Sequence, residues 1–233
     1  MVLLILGICE LLIDEQCKIT VIKISTDLPK QISKDLYKAL SKNKSVTELK
    51  CQNYESEDLS YLKALKKNTR IHSLSINAPR AKLARYLKHN HTITIITVIN
   101  IQEYEDTLDV LAAVGTLERV SLHFHGTKIT NLSSLLKGNK RLKQLHVVAK
   151  DSTLNDADAP KAIQDLSSLT SLDIDITGTT ELSALVLALP KDSNIKHLAI
   201  PEQYLLSERT RDITLQKIKS LKYVTFRAST ARG

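Results

Sequence analysis

The stretch Asp58-Leu-Ser-Tyr-Leu-Lys-Ala-Leu-Lys-Lys-Asn-Thr-Arg-Ile-His-Ser-Leu-Ser-Ile76 changes hydrophobic period at its middle, and that change decides the fold. Leu59, Leu62 and Leu65 recur every third residue, the spacing of one apolar stripe on a short helix. After Asn68 the apolar residues are Ile71, Leu74 and Ile76, spaced L-x-x-L-x-L, and the last two alternate as in a half-buried strand. Neither half can bury its apolar face alone. The unit therefore needs neighbours of its own kind.

Those neighbours are in the same chain. The strand half recurs as Ile19/Ile22/Ile24, Val46/Leu49/Cys51, Ile71/Leu74/Ile76, Ile93/Ile96/Val98 and Leu117/Val120/Leu122. It continues as Leu142/Leu145/Val147, Leu169/Leu172/Ile174, Ile195/Leu198/Ile200 and Leu221/Val224/Phe226. These nine copies start 22–27 residues apart, a period that marks a solenoid. The helix half keeps step, with a large aliphatic six residues before each strand start: Ile13, Leu40, Leu65, Leu87, Leu111, Leu136, Ile163, Leu189 and Leu215. The residue before it is often small (Ala39, Ala64, Ala162, Ala188), which lets a helix lie close to the strand layer. Asn43, Asn68, Asn90 and Asn139 stand three residues before their strands, where a left-handed residue closing the helix is expected.

The run Leu62-x-x-Leu65-x-x-Asn68-x-x-Ile71-x-x-Leu74-x-Ile76, and its counterpart ending at Leu145 and Val147, resemble the leucine-rich repeats, specifically the ribonuclease-inhibitor-like subclass. The resemblance spans about residues 10–228. It implies an α/β solenoid with a parallel sheet on the concave face and short helices on the convex face. The family usually places Asn or Cys three residues past the last strand aliphatic, as a hydrogen-bonded ladder. Here those positions hold Asp27, Tyr54, Pro79, Ile101, His125, Lys150, Thr177, Gln203 and Ser229, so that ladder is absent and irregular turns are expected.

Composition fits one such unit. No Gly/Ser/Pro-rich linker divides the 233 residues, so a single repeat domain over 1–233 is expected, with 1–18 as a cap or partial repeat and 229–233 as a tail. Trp is absent and aromatics are scarce, as suits a core of stacked aliphatics. Cys9, Cys17 and Cys51 form neither a cap cluster nor a metal-ligand spacing, so no metal or cofactor is expected and a reducing, cytoplasmic compartment is favoured. Val2–Ile13 is apolar but is interrupted by Glu10 and lacks a basic leader, so it reads as part of the solenoid, not as a signal peptide or membrane span. Secretion would then need no recognisable signal. Two ends without polar caps point to self-association or to a longer product.

Charge is uneven. Residues 34–91 hold 13 Lys/Arg against 5 Asp/Glu, while the remainder is close to neutral. Lys63, Lys66, Lys67, Arg70, Arg85 and Lys88 lie on or just after helix segments and would align as a basic rim. Such cations complement helix C-termini and solvate the outer face. They also suit an acidic protein or an anionic membrane surface. Nucleic acid is disfavoured by the few interleaved aromatics.

Strand residues between the aliphatics point to the concave side. Reading them in register puts Ser121, His146 and Asp173 side by side, in the order nucleophile, base, acid. A triad also needs an oxyanion hole and a substrate pocket, which a smooth parallel sheet does not supply. Recognition is the better use, and Arg119, His123, Phe124, His146, Asp173, Asp175, His197 and Tyr223 are the expected partner-binding residues. His123 and His125 are expected to diverge, one to the face and one to the turn. The resemblance implies a non-catalytic protein-binding module, as in relatives that are scaffolds, inhibitors, sensors or secreted bacterial effectors. The alternative is the recognition part of a larger receptor or enzyme whose chemistry lies outside this chain.

Overall fold

The computed structural model describes residues 2–25, 28–51, 60–77, 86–87, 90–101, 106–126, 128–150, 152–176, 184–189, 194–201 and 221–227. Each of the nine strand patterns forms a strand: β1 (Val21–Ile24), β2 (Glu48–Cys51), β3 (Ser73–Asn77), β4 (Ile95–Ile101), β5 (Arg119–His125), β7 (Gln144–Lys150), β9 (Ser171–Ile176), β10 (His197–Pro201) and β11 (Tyr223–Arg227). They pair in that order as one parallel nine-stranded sheet. A two-stranded accessory sheet joins β6 (Lys128–Ile129) to β8 (Thr153–Leu154). Register is set by the apolar triplets. Leu49 aligns with Leu74, Leu74 with Ile96, Ile96 with Val120, and Val120 with Leu145. Slipping any strand by one residue would turn this whole row out of the core.

The other layer is helical among the described residues. It comprises α1 (Val2–Ile13), α2 (Lys30–Lys42), a 3-10 helix (Ser60–Lys66), α3 (Asp106–Val114), α4 (Leu132–Gly138) and α5 (Ala159–Gln164). Leu40, Leu65, Leu87, Leu111, Leu136, Ile163 and Leu189 are buried as their spacing requires, and Ala39, Ala64 and Ala162 are buried beside them. Leu215 lies outside the described residues. The first repeat departs from the pattern. Leu12 is buried and Ile13 is 47% exposed, so α1 is rotated by one residue relative to the register read from the sequence.

The four asparagines are not left-handed. Asn43 has φ −65° and ψ 138°, and Asn139 has φ −117° and ψ 72°. Their side chains are buried and bind the preceding repeat instead. The Nδ2 groups of Asn43, Asn68, Asn90 and Asn139 donate to the carbonyls of Leu12, Leu40, Leu65 and Leu111 at 2.6–3.0 Å. Three of the Oδ1 atoms accept the amides opening their own strands: Val46, Ile71 and Ile93. Asn139 accepts instead from Leu117 in the repeat before, where Val114 leaves no asparagine of its own. An asparagine ladder therefore exists, before the strands and not after them. It satisfies the last helix carbonyls, which helix geometry leaves unpaired. Hydroxyls run alongside it, with Ser45, Thr92, Thr116 and Ser168 donating to the carbonyls of Ile19, Ile71, Ile93 and Leu142.

The middle strands are longer than the L-x-x-L-x-L pattern. In β4 an extra residue makes a bulge, because Val98 pairs with Leu122 but Ile101 pairs with Phe124. Asn100 takes φ 55° there, a left-handed conformation that Asn tolerates. The bulge returns Ile101 to the inward side, and Ile101, Phe124, Ala149 and Ile176 then form an extra buried row across four strands.

Candidate functional site

The outward rows of β5, β7, β9, β10 and β11 carry the densest polar chemistry on the concave face. The cross-strand register is Ser121, His146, Asp173, Ala199 and Thr225 in one row. Arg119, Gln144, Ser171, His197 and Tyr223 occupy the row before it.

His146 bridges its neighbours. Its Nδ1 lies 3.0 Å from Ser121 Oγ and its Nε2 lies 3.6 Å from Asp173 Oδ2. The Asp173 side chain is only 14% exposed and that of His146 32%, so this pair is shielded from solvent and is not a fully solvated ion pair. Ser121 Oγ also lies 3.2 Å from His123 Nε2, and the His123 and His146 rings meet edge to face with centroids 5.5 Å apart. Burial first, and then the positive charge His146 can carry, hold the His123 imidazole below its ordinary pKa. A second relay, which the row-by-row reading did not single out, joins Ser171 Oγ to His197 Nδ1 at 3.2 Å and His197 Nε2 to Thr225 Oγ1 at 3.4 Å. Its signal was present in the sequence. Ser171 and His197 occupy the same row one strand apart.

Ser121, His146 and Asp173 thus meet as a hydroxyl, an imidazole and a carboxylate in contact. Ser121, His146 and Asp173 are each paired in the parallel ladder with the strands on both sides, a regular backbone that forms no turn of converging donors for a developing oxyanion. What the arrangement can do is hold polar groups in fixed positions on the concave face.

Of the other expected residues, Tyr223 is 68% exposed, Arg119 is exposed, and Asp175 and His197 are half-buried on the same face. Phe124 is a correction. It is 5% exposed and belongs to the core, because β5 continues through His125 and alternation turns Phe124 inward. The same continuation places His125 on the side of His123, not apart from it. Among the described residues no group of three or more His, Cys, Asp and Glu is placed to hold a metal.

The basic residues lie elsewhere. Lys63, Lys66 and Lys67 gather beside Tyr37 and Tyr86 at the helical layer. Arg70 Nε donates to the Lys44 carbonyl at 3.1 Å. Arg85 and Lys88 lie outside the described residues. No described helix is long and apolar enough to cross a membrane.

No protein-family model and no curated protein matches this sequence. Among solved structures, internalin C2 from Listeria monocytogenes superposes with a TM-score of 0.51 at 18% identity, over 88% of this chain and 77% of that one. The plant peptide hormone receptor RGFR1, in its complex with RGF2, aligns with a TM-score of 0.25 at 11% identity, over 92% of this chain and 45% of the receptor. The parallel sheet, its repeat-by-repeat register and the likeness to internalin C2 together establish that this chain has the leucine-rich-repeat fold.

Proposed function

We propose that this chain is a non-catalytic module that binds a protein partner through its concave face, over β5 to β11. One observation carries the reading. A strongly exposed aromatic, Tyr223, shares that face with two hydrogen-bonded histidine relays, while β3 offers the half-buried Ser73 and Ser75, its Asn77 being buried. Interface anchors favour an aromatic or Arg side chain ringed by ordered polar groups. His146 and His197 are ordered by contacts to neighbouring strands, so less side-chain freedom is lost on binding. Arg119 and His123 on β5, and Asp173 and Asp175 on β9 with β7 between them, complete the surface.

Within this reading, the compact repeats, which carry no Asn or Cys ladder after their strands, support an effector-like bacterial protein. The alternative is the recognition part of a larger receptor or enzyme. Affinity capture with the wild type and with an Arg119→Ala, His146→Ala, Asp173→Ala variant tests the face. The variant loses the partner that the wild type retains. Recovery of the same partners by both would show that binding uses another surface.

A further inference from the structure

The helical layer holds a site of different chemistry. Tyr37 of α2, Lys63 and Lys66 of the 3-10 helix, Lys67 just after it, and Tyr86 of the next repeat line a cavity of about 280 Å³. Local geometry explains the clustering. A 3-10 helix has three residues per turn, so Lys63 and Lys66 eclipse one another on one side, separated by a rise of about 6 Å. Lys67 extends the group at the helix end. Tyr86 occupies the row where the two preceding repeats carry Ala39 and Ala64, and it is only 4% exposed, which gives the cavity an aromatic wall.

The three ammonium groups lack neutralising partners among the described residues: no described carboxylate lies within 4.0 Å of any of them. Asp35 on the adjoining helix is engaged by Gln31 and Lys38. Glu55, Glu57 and Asp58, the acidic residues nearest in sequence, lie outside the described residues. Like charges at this spacing repel, and an anion between them relieves that repulsion.

We propose that this cavity binds a small organic phosphate, a phosphomonoester whose oxygens accept from Lys63, Lys66 and Lys67 while its attached body lies against Tyr37 and Tyr86. Lysine meets phosphate as a compact triple donor, and charge-assisted bonds of this kind are about twice as strong as neutral ones. Ligand cavities commonly measure roughly 300–1,000 Å³, and this one, of about 280 Å³, stands at the small end, which suits a phosphate on a single-ring body. The site lies on the opposite layer from the concave face and stands independently of the protein-binding reading.

Isothermal titration calorimetry of the full chain at low salt tests the site, with phenyl phosphate and inorganic phosphate as probes. Vesicles of phosphatidylcholine with or without phosphatidic acid form a second arm. Saturable one-to-one binding of phenyl phosphate, tighter than that of inorganic phosphate, is expected. Lys63→Gln and Lys66→Gln each weaken it at least about tenfold, the loss of one charge-assisted bond. Lys140→Gln, an exposed cation in a distant repeat, leaves it unchanged, and Tyr37→Phe retains most of it. All four positions are at the surface or keep their packing, so the circular dichroism spectrum is unaltered. Binding only to phosphatidic acid vesicles, lost in Lys66→Gln, supports the same pocket and assigns the phosphomonoester to a lipid headgroup. Absence of saturable binding to every probe, or equal weakening by Lys140→Gln, would overturn the proposal.

Discussion

Replacing Asn68 by Ala tests whether the buried asparagines hold the repeats together. Asn68 is 3% exposed and its side chain makes four bonds. Its Nδ2 donates to the Leu40 carbonyl at 2.6 Å and to the Asn43 carbonyl at 3.0 Å. Its Oδ1 accepts from the Arg70 amide at 2.7 Å and from the Ile71 amide at 2.9 Å. Three of these are buried and the Arg70 bond is partly exposed, so water can replace only the last. A net hydrogen bond is worth about 1 kcal/mol, and a buried group left unpaired costs about 1–3 kcal/mol. Asn68→Ala should therefore cost about 3–4 kcal/mol, a large share of a typical total of about 5–15 kcal/mol. Equilibrium urea unfolding followed by circular dichroism measures it. With a slope of about 2–3 kcal/mol per molar, the midpoint falls by more than about 1 M. A fall in slope as well would show that the repeats on either side unfold separately, which a nearest-neighbour array allows when one interface is weakened. Asn68→Asp preserves size but loses both donated bonds and turns a charge toward two carbonyls, so at neutral pH it is at least as damaging. Asn131→Ala, which removes an exposed bond to Asp109, should change stability by less than about 0.5 kcal/mol. If Asn68→Ala stayed within 1 kcal/mol of wild type at unchanged slope, the ladder would not be what joins the repeats.

Gly138→Ala tests the packing of α4 on α3. A Cβ at Gly138 meets the backbone of Ala112, with its Cα and carbonyl carbon both at 2.8 Å, so the helices must part at a cost of about 1–3 kcal/mol, read as a lower melting temperature. For His123, burial and His146 depress the folded-state pKa, so the unfolded chain takes up the proton first as pH falls. The stability that neutral His123 contributes is present above the ordinary histidine value of about 6.5 and is lost as pH drops through its folded pKa. The melting temperature of His123→Gln should therefore fall less than that of wild type between pH 7.5 and 5.5, with His146, Asp173 and Ser121 unchanged around it; equal falls would contradict the assignment. Burial pushes the Cys51 thiol up to about 12 and raises Cys9, whereas a hydrogen bond from Ser45 lowers Cys17. Cys17 should react first with a thiol reagent at neutral pH, with Cys9 and Cys51 reacting only on unfolding, as mass spectrometry of the labelled chain would show.

Most of the fold was legible in Asp58–Ile76, though Asp58 and Leu59 themselves fall outside the described residues. A repeated apolar spacing must be buried on one side, and with a strict two-residue alternation it also assigns the opposite side. That is why the concave rows, including Ser121 beside His146 and Asp173, are legible in the sequence. Position within a row depends only on period and register. Where a strand ends depends on what its neighbours accept. The alternation of β5 carried on through His125 takes Phe124 from the expected surface into the core, and the bulge at Asn100 brings Ile101 into line with it.

Sequence alone determined the solenoid, its nine-strand sheet and the side of the sheet on which the residues of each L-x-x-L-x-L segment fall, because those follow from a local period repeated along the chain. Only the tertiary structure decided that the asparagines join repeats instead of closing helices, because their partners, such as the Leu12 and Leu111 carbonyls, lie 28–31 residues away. It also decided that Lys63, Lys66 and Lys67 surround a cavity with Tyr37 and Tyr86. Such a grouping depends on how far one helix is wound and on how bulky the next repeat's side chain is, and no spacing within a single repeat encodes it.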